Sequence, residues 1–329
     1  MPEYAGPSFF DLQVNGFAGV DYNEAGVSQE QLVASFTAME ATGVGLCLPT
    51  IITSTTEHFA TCARALLATR HPIIAGIHME GPYISPVDGF RGAHPLPCVV
   101  DASIDDFKRR QDAADGRITL LTLAPEVPGA LPVIEYAAAN GVRVALAHSN
   151  ATTAQIAAGV SAGATMSTHL GNGCPVTLPR HPNPIWDQLA DDRLTASLIV
   201  DGHHLPPSTV RVMVRAKTPD RCLLVTDAIM AAGAPPGRYR IGGLDVVSDP
   251  SGRVSAPGSA TLAGSSLTMP AAVGHTVRWG IPDLGVAWAM ASTQPATFMG
   301  VAPRGEARVR WSGDFSVVET VEFVQTLVS

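Results

Sequence analysis

The chain has no C-x-x-C pair, and its five cysteines (Cys47, Cys62, Cys98, Cys174 and Cys222) are odd in number and scattered. That spacing argues against a disulfide framework or a thiolate zinc site and suits small core residues in a reducing cytoplasm. No uninterrupted run of about 20 apolar residues occurs, so no segment reads as a membrane helix. The opening MPEYAGPSFFDLQ lacks a basic stretch followed by an apolar one, so no secretory signal is expected. Lys and Arg form no extended basic run and the formal net charge is −8, so neither a nucleic-acid groove nor an anionic membrane surface is expected. A small anion remains compatible with this balance, because one or two local arginines can bind one. A Gly-rich phosphate loop is also missing after the first apolar run; a lone GFAGVD is too weak a match.

What the chain has in quantity is apolar residues, 46% of 329, ample for one barrel-sized domain or two smaller ones. They fall in short β-type runs: SFFDLQV (8–14), GLCLPTII (45–52), IIAGIHM (73–79), ITLLTLA (118–124), RVALAH (143–148), ATMSTH (164–169), ASLIVD (196–201) and CLLVTD (222–227). Ala-rich helical stretches such as SQEQLVASFTAMEATG and ALPVIEYAAANG lie between several of them and close on Gly. Apolar strands alternating with helices predict a parallel sheet covered on both faces. Eight such units between residues 8 and 227 predict a (β/α)8 barrel rather than an open doubly wound sheet. Beyond residue 227 the pattern changes. Residues 237–268 read as hairpins turning at Asp-Pro and Pro-Gly, MPAAVGHTVRWG and LGVAWAMAST as helices, and the tail from Glu306 as edge strands.

Several predicted strands stop on an ionisable residue: Glu80, His148, His169, Asp201 and Asp227. In a barrel the C-terminal strand ends converge on the face that carries active sites. One carboxylate and two imidazoles there suit a three-ligand divalent metal site with a position left for water. Asp227 would then accept that water's proton. Singly, each residue has a structural reading: a capped strand-end histidine, a helix N-terminal acid at Glu80, an N-cap at Asp227. Independent accidents would not all fall at one end of a barrel, so the joint pattern favours metal-dependent hydrolysis.

At this point a resemblance appears. Amidohydrolase-superfamily barrels usually open with His-x-His on the first strand, whereas this chain has DLQVNG (11–16). Gln-x-Asn at that place resembles the N-acetylglucosamine-6-phosphate deacetylases. So do GIHMEGPYISP with its later GAH, LAPE, AHSNAT, STHLGN, VDGHH, LVTDAIMAAGAPPGRYRIGG and LAGSSLTM, in the same order over nearly the whole chain.

The resemblance implies Glu80, His148 and His169 as metal ligands and Asp227 as the general base. With Gln13 and Asn15 in place of the histidine pair, it implies one divalent ion per subunit: zinc, with iron or another divalent ion as the alternative. It puts Ala93, His94, Asn172, Gly173, Arg180, His204, Leu262, Ala263 and Gly264 at the substrate, with Arg180 on a sugar phosphate, in some relatives across a homodimer interface. His203 is then a neighbour on the same loop, Glu126 and Asp201 are supporting groups, and Cys174 is a spacer rather than a nucleophile. Two departures stand out. VDGFR reads as a short insertion ahead of Gly92-Ala93-His94, and relatives carry a longer segment before their first barrel strand, half of a small β-sandwich. The expectation is therefore a barrel over 1–305 and a β-rich tail over 306–329 as remnant of a reduced or absent sandwich, its N-terminal partners missing. The implied reaction is deacetylation of N-acetylglucosamine 6-phosphate to glucosamine 6-phosphate and acetate by a cytoplasmic enzyme. Another N-acetylhexosamine, or a non-catalytic sugar-binding barrel, is the alternative.

Overall fold

A computed structural model describes residues 1–258 and 261–325. Eight parallel strands form one sheet in sequence order: Phe9–Val14, Val44–Ile51, Ile77–Glu80, Ile118–Leu123, Arg143–Leu146, Met166–Ser167, Thr195–Leu198 and Cys222–Leu224. Nearly every residue in them is buried, because helices cover the outer face and side chains fill the inside. Several of the connecting helices start on side-chain caps that the sequence supplies locally. Ser28 and Thr152 each form a capping box with a glutamine three residues on, and Asn183 caps a helix that opens on Pro184.

The seam between the first and eighth strands carries a single bridge, Val14 to Ala228, rather than a ladder. The Asp11 carboxylate reinforces it, accepting from the Thr226 hydroxyl at 2.5 Å and from the Thr226 amide at 3.2 Å. Its reach ties the two ends of the sheet across the seam.

The expectation about the tail needs one correction. Glu306–Trp311 pairs with Val318–Val324 as edge strands, and it also pairs antiparallel with Glu3–Pro7, an N-terminal partner that the sequence reading held to be missing. The reason is packing. Ala307, Val309 and Trp311 alternate inward and join the main apolar core, while Trp288 packs against Tyr4 and Phe9 and donates its indole N–H to the Pro7 carbonyl. Residues 326–329 of the expected tail lie outside the described residues.

After the eighth strand, Gly237–Ile241 and Leu244–Ser248 form a hairpin turning at Gly242-Gly243, and Val254–Ser255 adds a third strand. The expected turn at Asp249-Pro250 is present between the second and third strands; the one at Pro257-Gly258 abuts residues 259–260, outside the described residues. Ile241, Val246 and Val254 pack on Ile229, Met230 and Ala263 as a second apolar cluster, which seats this small sheet beside the end of the eighth strand.

Candidate active site

Glu80 is the last residue of the third strand, and His148, His169 and Asp227 follow the ends of the fifth, sixth and eighth. The latter three leave their strands with φ of +49°, +33° and +49°, a left-handed conformation that costs energy for residues other than glycine. Each strand therefore breaks sharply at the residue that bears the functional group.

Glu80 Oε1 is the focus. It lies 2.9 Å from His169 Nε2, 3.2 Å from His148 Nε2 and 3.1 Å from Gln13 Nε2, all buried. Burial opposes ionisation of Glu80, but contacts with the two imidazoles outweigh it and hold the carboxyl well below its usual range. One donor atom each from Glu80, His148 and His169 falls within 4.8 Å of the others. His148 Nδ1 donates to the Phe90 carbonyl at 3.0 Å, so in a neutral ring the Nε2 lone pair faces the carboxylate. Two acceptors in contact call for a cation between them. Ligands of a tetrahedral zinc sit about 3.3 Å from one another, close to these separations, so the residues fit a divalent metal.

Two residues beyond Gln13, Asn15 Nδ2 donates to Asp227 Oδ1 at 2.6 Å. Burial first, then the Glu80 charge, pushes the Asp227 carboxyl up to about 6. A carboxylate poised there can both take and return a proton near neutral pH. Gln13 Oε1 and Asn15 Oδ1 are buried without a recorded protein partner, so the first strand lends each carboxylate an amide N–H and keeps two acceptors over.

His94 is buried and its ring packs on His148 with centroids 4.3 Å apart. The Thr53 amide donates to His94 Nδ1, and the Thr53 hydroxyl lies 2.8 Å from it. That makes Nδ1 the acceptor and leaves the hydrogen on Nε2. Burial, then neighbouring His148, pushes the His94 pKa down to about 3, so the ring stays a neutral donor. A cavity of about 500 Å³ adjoins this corner, walled by Thr53, Pro95, Ile52, His58 and Arg240. His204 Nδ1 sits 2.6 Å from Asp201 Oδ2, and the backbone amides of His203 and His204 donate to Asp201 Oδ1, which ties the loop to one carboxylate. Below the site His78 contacts Thr50 and Thr122; burial pushes its pKa down to about 4, so it is a neutral brace.

The structure thus brings Glu80, His148, His169, Asp227 and His94 together. Gly173 and Gly92 lie against the His148 ring, where an added Cβ would stand 2.7 Å and 3.1 Å from it. Asn172 is half-buried and donates to the His169 carbonyl. Leu262, Ala263 and Gly264 run into Ser265, whose amide donates to the Asp227 carbonyl; Ala263 is buried in the second apolar cluster. Ala93 is exposed. Arg180 is not brought to this cluster: it sits on an exposed loop, and among the described residues its side chain has no recorded partner. Glu126 accepts from the Ser149 hydroxyl and the Asn150 amide, beside His148. Sequence reasoning missed Thr53 and the Phe90 carbonyl, neither of which carries a local signal.

No family model matches the chain. Curated relatives do. It is 35% identical to the N-acetylgalactosamine-6-phosphate deacetylase of Escherichia coli O157:H7, over 90% of this chain and 78% of that one. It is 30% identical to the N-acetylglucosamine-6-phosphate deacetylase of Vibrio furnissii, over 95% and 80%. Among solved structures, a point mutant of the N-acetyl-D-glucosamine-6-phosphate deacetylase of Mycobacterium smegmatis in complex with N-acetyl-D-glucosamine-6-phosphate superposes with a TM-score of 0.89 at 30% identity, covering 98% of this chain and 87% of that one.

Proposed function

This chain belongs to the N-acetylglucosamine-6-phosphate deacetylase family of the amidohydrolase superfamily, and on that premise we propose that it hydrolyses the acetamide of N-acetylglucosamine 6-phosphate through Asp227 and a cation on Glu80, His148 and His169. The convergence of those three donors opposite Asp227 is the observation that carries the reading. A zinc ion held there supplies an acidified water and polarises the acyl oxygen.

The chain's own residues do the rest. Asp227, held by Asn15 through Oδ1, takes a proton from the attacking water, whose oxygen joins the acyl carbon. His94 donates its Nε2–H to the oxyanion that forms. Asp227 then returns the proton to the sugar nitrogen as the C–N bond breaks, so the amine leaves neutral together with acetic acid, whose remaining proton passes to solvent to give acetate. His204, fixed by Asp201, and the Asn172–Gly173 segment hold the sugar. Arg180, free on an exposed loop, serves the phosphate of a second subunit in a homodimer.

The test is a deacetylation screen over the 6-phosphates of N-acetylglucosamine and N-acetylgalactosamine and both plain sugars. The reading expects the glucosamine phosphate to give the highest kcat/KM. A preference for the galactosamine phosphate reassigns the sugar, and absence of turnover on all four overturns the enzyme reading.

A further inference from the structure

The insertion VDGFR, which marks a departure from the family pattern, lies against the site. Phe90 is buried, and its carbonyl is the recorded partner of His148 Nδ1 at 3.0 Å. Arg91 donates from Nη1 to the His94 carbonyl at 2.7 Å and pairs with Asp88 through Nη2; its side chain is only 17% exposed. Its backbone amide closes a turn on the Val87 carbonyl at 2.9 Å. One short segment thus holds two imidazoles whose rings meet edge to face.

We propose that Arg91 is a positioning residue: its guanidinium clamps the Phe90–His94 segment, so that the Phe90 carbonyl fixes the ring and tautomer of His148 while His94 keeps its aim. The inference rests on His148 being a metal ligand and His94 an oxyanion donor. A planar fork suits the task because it reaches two acceptors at once, which an ammonium on a flexible stem does less well. The Asp88 arm is exposed and adds little by itself. The contact with the His94 carbonyl is the one that matters, since releasing it lets the Phe90 carbonyl turn from His148 Nδ1. That imidazole then exchanges tautomers and presents its lone pair to Glu80 only part of the time.

The experiment compares Arg91→Ala, Arg91→Lys, Asp88→Asn and Gly92→Ala with wild type. It measures zinc affinity by chelator competition, and kcat and KM for N-acetylglucosamine 6-phosphate. Loss of an outer partner typically costs 10–100-fold, so Arg91→Ala should weaken zinc about that much and lower kcat with KM little changed. Arg91→Lys should fall between, and Asp88→Asn should stay within about twofold of wild type on the exposed arm's small worth. Gly92→Ala, which places a Cβ 3.1 Å from His148 Cε1, serves as the control for a displaced ring, and Arg91→Lys, which keeps the charge and loses the fork, carries the test if Arg91→Ala does not fold. Wild-type zinc affinity and kcat in Arg91→Ala overturn the inference; so does a rise in KM alone, which marks a substrate contact instead. His148→Ala serves as the reference. If it keeps its zinc, the ligand reading fails; if it loses zinc while the Arg91 variants hold theirs, only this inference fails.

Discussion

Asn15 donates to one oxygen of Asp227, and two residues before it Gln13 donates to Glu80, so the first strand holds both carboxylates by neutral amides. A histidine pair at these positions would offer lone pairs to a second cation, whereas amide N–H groups stabilise the carboxylates themselves. The arrangement explains how two acids share one buried pocket, one firmly charged and one poised near neutrality.

Asp227→Asn keeps the shape and removes the proposed proton acceptor. Turnover should fall by about 10²–10⁴, the usual weight of general acid–base catalysis, while metal content stays near wild type by elemental analysis. Near-wild-type turnover would require another base.

His148→Ala and His169→Ala each remove one of the three proposed ligands. Both variants should emerge with little bound metal and little activity, the two losses running in parallel. Full metal occupancy in both variants overturns the ligand assignment.

Arg180→Ala separates the phosphate from the chemistry. A lost charge-assisted contact costs about 1.5–3 kcal/mol, so kcat/KM for the 6-phosphate should drop about 10- to 150-fold while the plain sugar is nearly unaffected. An unchanged ratio of the two efficiencies removes Arg180 from the phosphate site. Mixing Arg180→Ala subunits with His148→Ala subunits should restore activity if the arginine acts across a dimer.

Away from the chemistry, Asp106 accepts from Tyr83, Thr56 and the buried Arg110, each at 2.8 Å. Burial opposes its charge, but Arg110, Tyr83 and Thr56 outweigh it and bring its pKa down to about 2. A carboxyl depressed in the fold, against about 3.9 in the unfolded chain, lends stability that is present above about pH 4 and is lost as pH falls toward 2. Asp106→Asn leaves Arg110 buried without its counter-charge, a loss of about 3–5 kcal/mol at neutral pH. Thermal unfolding should show the gap between wild type and variant closing as pH drops through that window. A constant gap would mean that the pair does not govern acid stability.

Eight strand segments were readable in the sequence because a buried parallel strand is an unbroken apolar run, and the acids and histidines that end such runs stand out locally. Gln13, Asn15, Glu80, His148, His169 and Asp227 were all legible that way, or through their order along the chain. Strand lengths were less so. Residues 164–169 shrink to Met166–Ser167, because His169 turns into a left-handed conformation that no local pattern announces.

The amino-acid sequence by itself determined the barrel, the chemical types at its mouth and the spacing that sets them at strand ends, since each depends on periodicity within about ten residues. Only the tertiary structure decided which groups touch. Asp11 meets Thr226 because the sheet closes on itself, Glu3–Pro7 finds Glu306–Trp311 because both must bury an edge, and the Phe90 carbonyl reaches His148 because two loops converge on one face. Those contacts join residues far apart in the chain, and their partners are chosen by the shape of the closed barrel rather than by any pattern either segment carries alone.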